Sequence, residues 1–204
     1  MALGFSGRYG QLEEEEYDLI DRILERIKVS FGEVRFLEIG IWGGVTATGI
    51  ARKCKELGIP VSATGVDKSP NIPTPLPTPD YQYVQGDSLY QYGKIKGKYN
   101  LLLIDGCHCA IHAMCDFLNY SPFLDVNGYC MFHDTASRKD EDEQDYFAQD
   151  HSDVGMPDSV LGVRNGLKKL GLLQGYRADW KFIEEHPNET GLMGAILYQK
   201  VKEL

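Results

Sequence analysis

The sequence predicts an α/β domain built on a mostly parallel sheet with helices on both faces. Two observations carry that prediction. Short apolar runs alternate along the chain with segments of helical periodicity, the pattern of a parallel sheet wound with crossover helices. In addition, Leu101-Leu-Leu-Ile104 has no polar interruption, as a strand buried on both faces requires.

Residues 12–29 read as a helix, because Tyr17, Ile20, Leu24 and Ile27 recur at three- and four-residue steps and Glu13 to Glu16 sit where the helix dipole favours acids. A strand is expected over 34–39, then a helix over 45–57 ended by Gly58 and Pro60. Further strands follow at 61–66, 81–84 and 101–104. The prolines between residues 69 and 79 forbid both helix and central strand, so that stretch reads as a stiff surface loop. Residues 108–118 suit a helix, 129–132 a fifth strand, 159–170 a helix, and 180–183 and 195–201 two last strands.

The 204 residues fit a single domain, 1–204, with 1–32 as an N-terminal helical cap. Twenty-one basic against 30 acidic residues give a net charge of −9, which would repel phosphate backbones, so nucleic acid is excluded as a partner. No apolar stretch reaches the length of a membrane span, and the first residues lack the regions of a secretory signal. Five cysteines without framework spacing read as free thiols, and a cytoplasmic location is expected. A homo-oligomer is left open.

In such a sheet, ligands bind beyond the carboxyl ends of the strands. The first strand ends in Glu38-Ile-Gly-Ile-Trp-Gly-Gly-Val-Thr46. Its glycines let backbone approach a ligand, and the helix that follows offers free N–H groups to an anion. Glu38 is a poor neighbour for a pyrophosphate but a good acceptor for an ammonium group. The second strand ends in Asp67, which could accept ribose hydroxyls or cap a loop; the third ends in Gly86-Asp-Ser88, which could meet an adenine edge or form an Asx turn.

With Glu38, Gly40, Gly44 and Thr46 matching E-x-G-x-x-x-G-x-[ST], the chain resembles the class I S-adenosylmethionine-dependent methyltransferases. Within them it is similar to the small O-methyltransferases of the macrocin O-methyltransferase and cephalosporin-hydroxylase-like group, with catechol O-methyltransferase more distant. The resemblance covers about residues 34–135. It implies a Rossmann-like, seven-stranded sheet in the order 3-2-1-4-5-7-6. It also implies that Glu38 and Gly40 face the methionine part of S-adenosylmethionine, that Thr46 helps hold its carboxylate, that Trp42 and Gly44 belong to the same cofactor site, that Asp67 takes the ribose, and that Asp87 and Ser88 line the adenine.

The group typically shows I-D-G-D-H-S-Y after strand four, and acids after strand five. Here the runs are Ile104-Asp-Gly-Cys-His-Cys-Ala110 and Phe132-His-Asp134. Asp105 and His133 lie 28 positions apart, the usual interval between the first two metal ligands of magnesium-dependent members. Paired carboxylates are costly without a cation between them, and their hard oxygens suit Mg²⁺. Asp105, His133 and Asp134 are therefore the expected ligands, with His133 either a third ligand or the group that orients Asp134. Asp105 also falls among the cofactor-facing and catalytic residues. His108 lies three residues beyond it, at the expected start of a helix, where catechol-type enzymes place a general base.

The chain departs from the group at Cys107 and at Cys109-Ala110. Cys107, His108, Cys109 and Cys115 are types that bind zinc. However, Cys-x-Cys is not the usual knuckle gap, and a helix would point Cys107 and Cys109 apart, so no zinc site is expected. Residues 135–158 are long for a connection and could form a lid over the methyl acceptor. The expected activity is magnesium-assisted methyl transfer to a hydroxyl of a small molecule: a sugar, polyol or phenolic. A nicotinamide-dependent oxidoreductase and a catalytically decayed cofactor-binding protein are the alternatives.

Overall fold

The computed structural model describes residues 14–69, 76–135, 162–187 and 194–203. Strands β1 (Val34–Ile39), β2 (Val61–Asp67), β3 (Gln82–Gln85), β4 (Tyr99–Ile104), β5 (Leu124–Phe132), β6 (Trp180–Pro187) and β7 (Gly194–Lys200) form one sheet. Its order is β3-β2-β1-β4-β5-β7-β6, as expected. The first five strands pair in parallel, and β7 runs antiparallel between β5 and β6.

Helices α1 (Glu14–Phe31) and α2 (Val45–Leu57) cover one face, and α4 (Ala110–Tyr120) with α5 (Val163–Lys169) cover the other. The strand pleat explains the uninterrupted apolar runs. Leu101 and Leu103 join Phe36, Met131 and Leu197 in the core beneath α1 and α2. Leu102 and Ile104 point the other way, joining Leu37, Cys130, Phe132 and Ile196 against α4 and α5. Each such side chain contributes about 1.5–3 kcal/mol by leaving water.

Boundaries differ where local chemistry overrides periodicity. β5 starts at Leu124, five residues before its apolar run, because Asn127 adopts a left-handed φ of 70° and the β4–β5 register shifts between Tyr99 and Leu101. A bulge of this kind hides a strand behind polar residues. A four-residue helix, α3 (Ser88–Gln91), is too short to show a period and rests on its cap, Asp87, whose Oδ1 accepts from Leu89 N at 2.9 Å. The helix expected from His108 begins at Ala110, with Cys109 as its N-cap in extended backbone. Residues 107–109 therefore form a turn.

α1, expected as an N-terminal cap, buries Leu19, Ile20, Ile23, Leu24 and Ile27 in the sheet core. The expected lid beyond Thr135 and the stretch 1–13 fall outside the described residues. No described helix is long and apolar enough to cross a membrane, and none of the five cysteines forms a disulfide.

β1 has β2 on one side and β4 on the other, and the crossovers leave in opposite directions. The crevice this creates opens at the carboxyl ends of β1 and β4. Phe117 anchors the α4 side of the core, fully buried, with its ring centroid 4.9 Å from Trp180 and 5.8 Å from Phe132. Phe117→Ala is expected to cost about 3–5 kcal/mol, read as a lower urea midpoint by Trp180 fluorescence.

Candidate active site

The crevice is walled by the turn between β1 and α2. Four of its residues hold positive φ: Gly40 at 85°, Trp42 at 46°, Gly43 at 96° and Gly44 at 75°. Positive φ is a genuine strain for tryptophan, and such strain collects at functional sites. Asp67 holds the turn in place: its Oδ2 accepts from Ile41 N at 2.7 Å and Trp42 N at 3.2 Å, and its Oδ1 accepts from Ser69 N at 2.7 Å. A Cβ at Gly40 would strike the carbonyl oxygen of Asp105 and the Cα of Gly106, so the first and fourth strand ends touch through backbone.

Beneath the turn, Glu38 is 1% exposed and its Oε2 has no hydrogen-bond partner. Burial raises its pKa well above the ordinary carboxylate value, and the charges of Asp105 and Asp67 raise it further. An orphaned buried acid of this kind suits a cationic ligand. α2 begins at Gly44 with no side-chain cap, so its first turn carries N–H groups suited to a carboxylate. Ammonium and carboxylate are the two charged ends of an amino acid, so these residues fit the methionine part of S-adenosylmethionine.

Beyond β4 and β5 the titratable groups converge. His133 Nδ1 lies 2.9 Å from Asp105 Oδ1 and 3.3 Å from Asp134 Oδ2, while its Nε2 faces Glu16 Oε2 at 3.3 Å. Burial alone would lower the His133 pKa, but Asp105, Asp134 and Glu16 outweigh it and raise it well above the ordinary value. His108 Nε2 sits 2.9 Å from Asp134 Oδ2 and 3.8 Å from Asp105 Oδ1. Burial again opposes the charge, yet Asp134 and Asp105 leave His108 raised. Asp134, with φ 53°, would be raised by burial, but the bonds from His108 and His133 hold it far below the carboxylate range. Asp105, His108 and Asp134 bring three ligand atoms within 4.8 Å of one another, a donor set that fits a hard divalent cation.

Residues 37–135, about half of the chain, match the family model described as Methyltransferase domain. The chain carries a methyltransferase domain with the class I fold. No curated protein sequence matches it. Solved structures with the same fold include an O-methyltransferase from Bacillus cereus in complex with SAH, at 14% identity and TM-score 0.60, covering 93% of this chain and 82% of that one. A putative O-methyltransferase from Klebsiella pneumoniae is 12% identical, with TM-score 0.63 and coverage of 94% and 82%. MycE methyltransferase from the mycinamycin biosynthetic pathway, solved with Mg, SAH and mycinamycin VI, is 19% identical at TM-score 0.57; the match covers 95% of this chain but 51% of MycE.

Within the methyltransferase, Glu38, Gly40, Gly44, Asp67 and Asp105 gather at the crevice. Thr46 is buried in the first turn of α2, and Trp42 is 70% exposed on the turn itself. Asp87 spends one oxygen capping α3, and the Ser88 carbonyl accepts from Tyr120 Oη at 2.7 Å. Two residues escaped the sequence reading. Glu16 lay in an acidic run that a helix dipole explains, and nothing along the chain points it at His133. Along the chain Tyr81 reads only as the first residue of the third strand, yet its buried hydroxyl feels Glu38 and Asp67.

One expectation is overturned. Cys107 and Cys109 do not point apart, because neither is in the helix. Their sulfurs and a ring nitrogen of His112 lie within 4.8 Å of one another.

A histidine raised by folding stabilises the protein fully below its unfolded value, about pH 6.5, and that stability fades as pH rises toward the folded value. Metal-free protein should therefore lose the contribution of its raised histidines to the unfolding free energy from about pH 6.5 upward. Denaturation at stepped pH should show a shallower decline for His133→Asn. An unchanged slope would remove His133 as its source.

Proposed function

We propose that this methyltransferase transfers a methyl group from S-adenosylmethionine to a hydroxyl oxygen of a small molecule (a sugar, polyol or phenolic), with Mg²⁺ held by Asp105 and Asp134. The observation that carries this reading is the convergence of two carboxylates and an imidazole beside an acid-floored glycine turn. The O-methyltransferases that share the fold, and the magnesium and SAH bound in MycE, support it.

S-adenosylmethionine, when bound, supplies a methyl group activated by its sulfonium. Glu38 would accept the ammonium of its methionine part, and the α2 N-terminus would receive the carboxylate. Asp67 can take the ribose hydroxyls with lone pairs that its backbone bonds leave over, since a carboxylate offers about four acceptor sites. Mg²⁺, when bound, lowers the pKa of an acceptor hydroxyl and fixes its direction. His133 carries protons on both nitrogens when charged and has no lone pair for a metal. Its part is to hold Asp105 and Asp134 in position.

His108 is the general base. Without a cation, Asp134 holds His108 in its protonated form; with Asp134 and Asp105 engaged by Mg²⁺, the His108 Nε2 would be free to accept the hydroxyl proton. Adjacent diol oxygens suit such a centre, because both can reach one cation.

Calorimetry tests the binding half. Wild-type protein should bind S-adenosylhomocysteine, Glu38→Gln should bind it at least about tenfold more weakly, and Asp105→Asn should lose Mg²⁺ binding. Tight binding of NAD without the homocysteine ligand would favour the oxidoreductase alternative. Chemistry is tested by methyl transfer to a panel of sugars and catechols. Activity should fall as pH drops through the His108 value of the Mg²⁺-loaded protein, which lies below the raised metal-free one, since the base must be neutral. His108→Ala should lower kcat by about 10²–10⁴ and flatten that limb while leaving S-adenosylhomocysteine binding intact. Absence of transfer to every acceptor in the panel, with cofactor bound, would favour the decayed alternative.

A further inference from the structure

The turn from Asp105 to Cys109 carries two donor groups of opposite character. Asp105 and His108 join Asp134 in one; Cys107 and Cys109 join His112 in the other. The methyl-transfer site uses the first and leaves the second without a role.

We propose that Cys107, Cys109 and His112 bind one Zn²⁺ per chain, with the fourth coordination position left to solvent. The local fold builds this set. Cys109 is the N-cap of α4, with φ −83° and ψ 151°, and its Sγ accepts from His112 N at 3.4 Å. His112 lies three residues on, on the same face of the first helical turn, and its Nδ1 stands 3.0 Å from Cys109 Sγ. The extended backbone before the helix then swings Cys107 inward, so that its Sγ lies 3.5 Å from Cys109 N.

The dimensions suit zinc. Bonds of about 2.3 Å to sulfur and 2.0–2.1 Å to nitrogen, placed tetrahedrally, separate neighbouring ligand atoms by roughly 3.5–3.8 Å. Cys109 Sγ and His112 Nδ1 stand 3.0 Å apart and all three ligand atoms fall within 4.8 Å of one another, so small side-chain shifts bring them to that span. Two sulfurs and an imidazole select a soft or borderline ion, while the oxygens of Asp105 and Asp134 select Mg²⁺. The N-terminal end of an eleven-residue helix favours the negative charge that thiolates bring. Cys109 and His112 are 5% and 7% exposed, and half-buried Cys107 gives solvent its way in. Zinc there would clamp the turn that holds Asp105 and His108. Thiolate ligation itself does not depend on methyl transfer.

Cobalt titration of the reduced, metal-free protein tests the site, because thiolate–Co²⁺ charge transfer in the near ultraviolet reports sulfur ligation directly. The expected result is one thiolate-bound Co²⁺ per chain, displaced by Zn²⁺ and unaffected by Mg²⁺. Asp134→Asn should leave the band unchanged, whereas Cys109→Ser should abolish it. Cys107→Ser and His112→Ala should weaken binding by at least about 100-fold, beyond the roughly 10–100-fold cost of losing a ligand's supporting partner. A wild-type titration without charge transfer would overturn the proposal, and so would a band that survives the double change Cys107→Ser, Cys109→Ser.

Discussion

The carboxyl end of this sheet is organised by a charge that has nowhere else to go. Glu16, Asp105 and Asp134 all reach the His133 ring, which is almost wholly withdrawn from water. Buried carboxylates without a counter-charge would be strongly destabilising, and a buried imidazole alone would lose its proton. Together each makes the other's charged form tenable. The arrangement draws on three elements: the first turn of α1, the end of β4 and the end of β5. One pairing network thereby fixes the position of α1 against the sheet and sets two carboxylates side by side.

Much of this was legible along the chain. Leu101 to Ile104 showed a doubly covered strand, and Glu38 with its glycines marked the turn at the switch point. What stayed hidden had physical reasons. The start of β5 lies behind Asp125 and Asn127, whose polarity belongs to a bulge. α3 depends on a cap and has no periodicity to read. Glu16 acts across a sequence distance of more than a hundred residues, which only the folded chain closes. The two cysteines were misplaced because helical periodicity extends backwards past the true N-cap, and a shift of two residues turns divergent side chains into convergent ones.

Asp67 shows how one residue can satisfy a structural reading and a functional one together. Its carboxylate holds three backbone N–H groups and so shapes the turn in which Trp42 is forced into a left-handed conformation. Under the proposed function the same oxygens would also meet the ribose. A loop cap and a ligand acceptor are compatible roles because a carboxylate has more lone pairs than the backbone consumes.

The backbone contact between Gly40 and Asp105 has a wider consequence. With no side chain between them, the turn after β1 and the turn after β4 share one wall. Two ligands binding on either side of such a wall are thermodynamically linked: if the first changes the affinity of the second, the second changes that of the first by the same factor. Whatever occupancy on one side of the wall does to affinity on the other is returned in equal measure, through the space a missing Cβ leaves at Gly40.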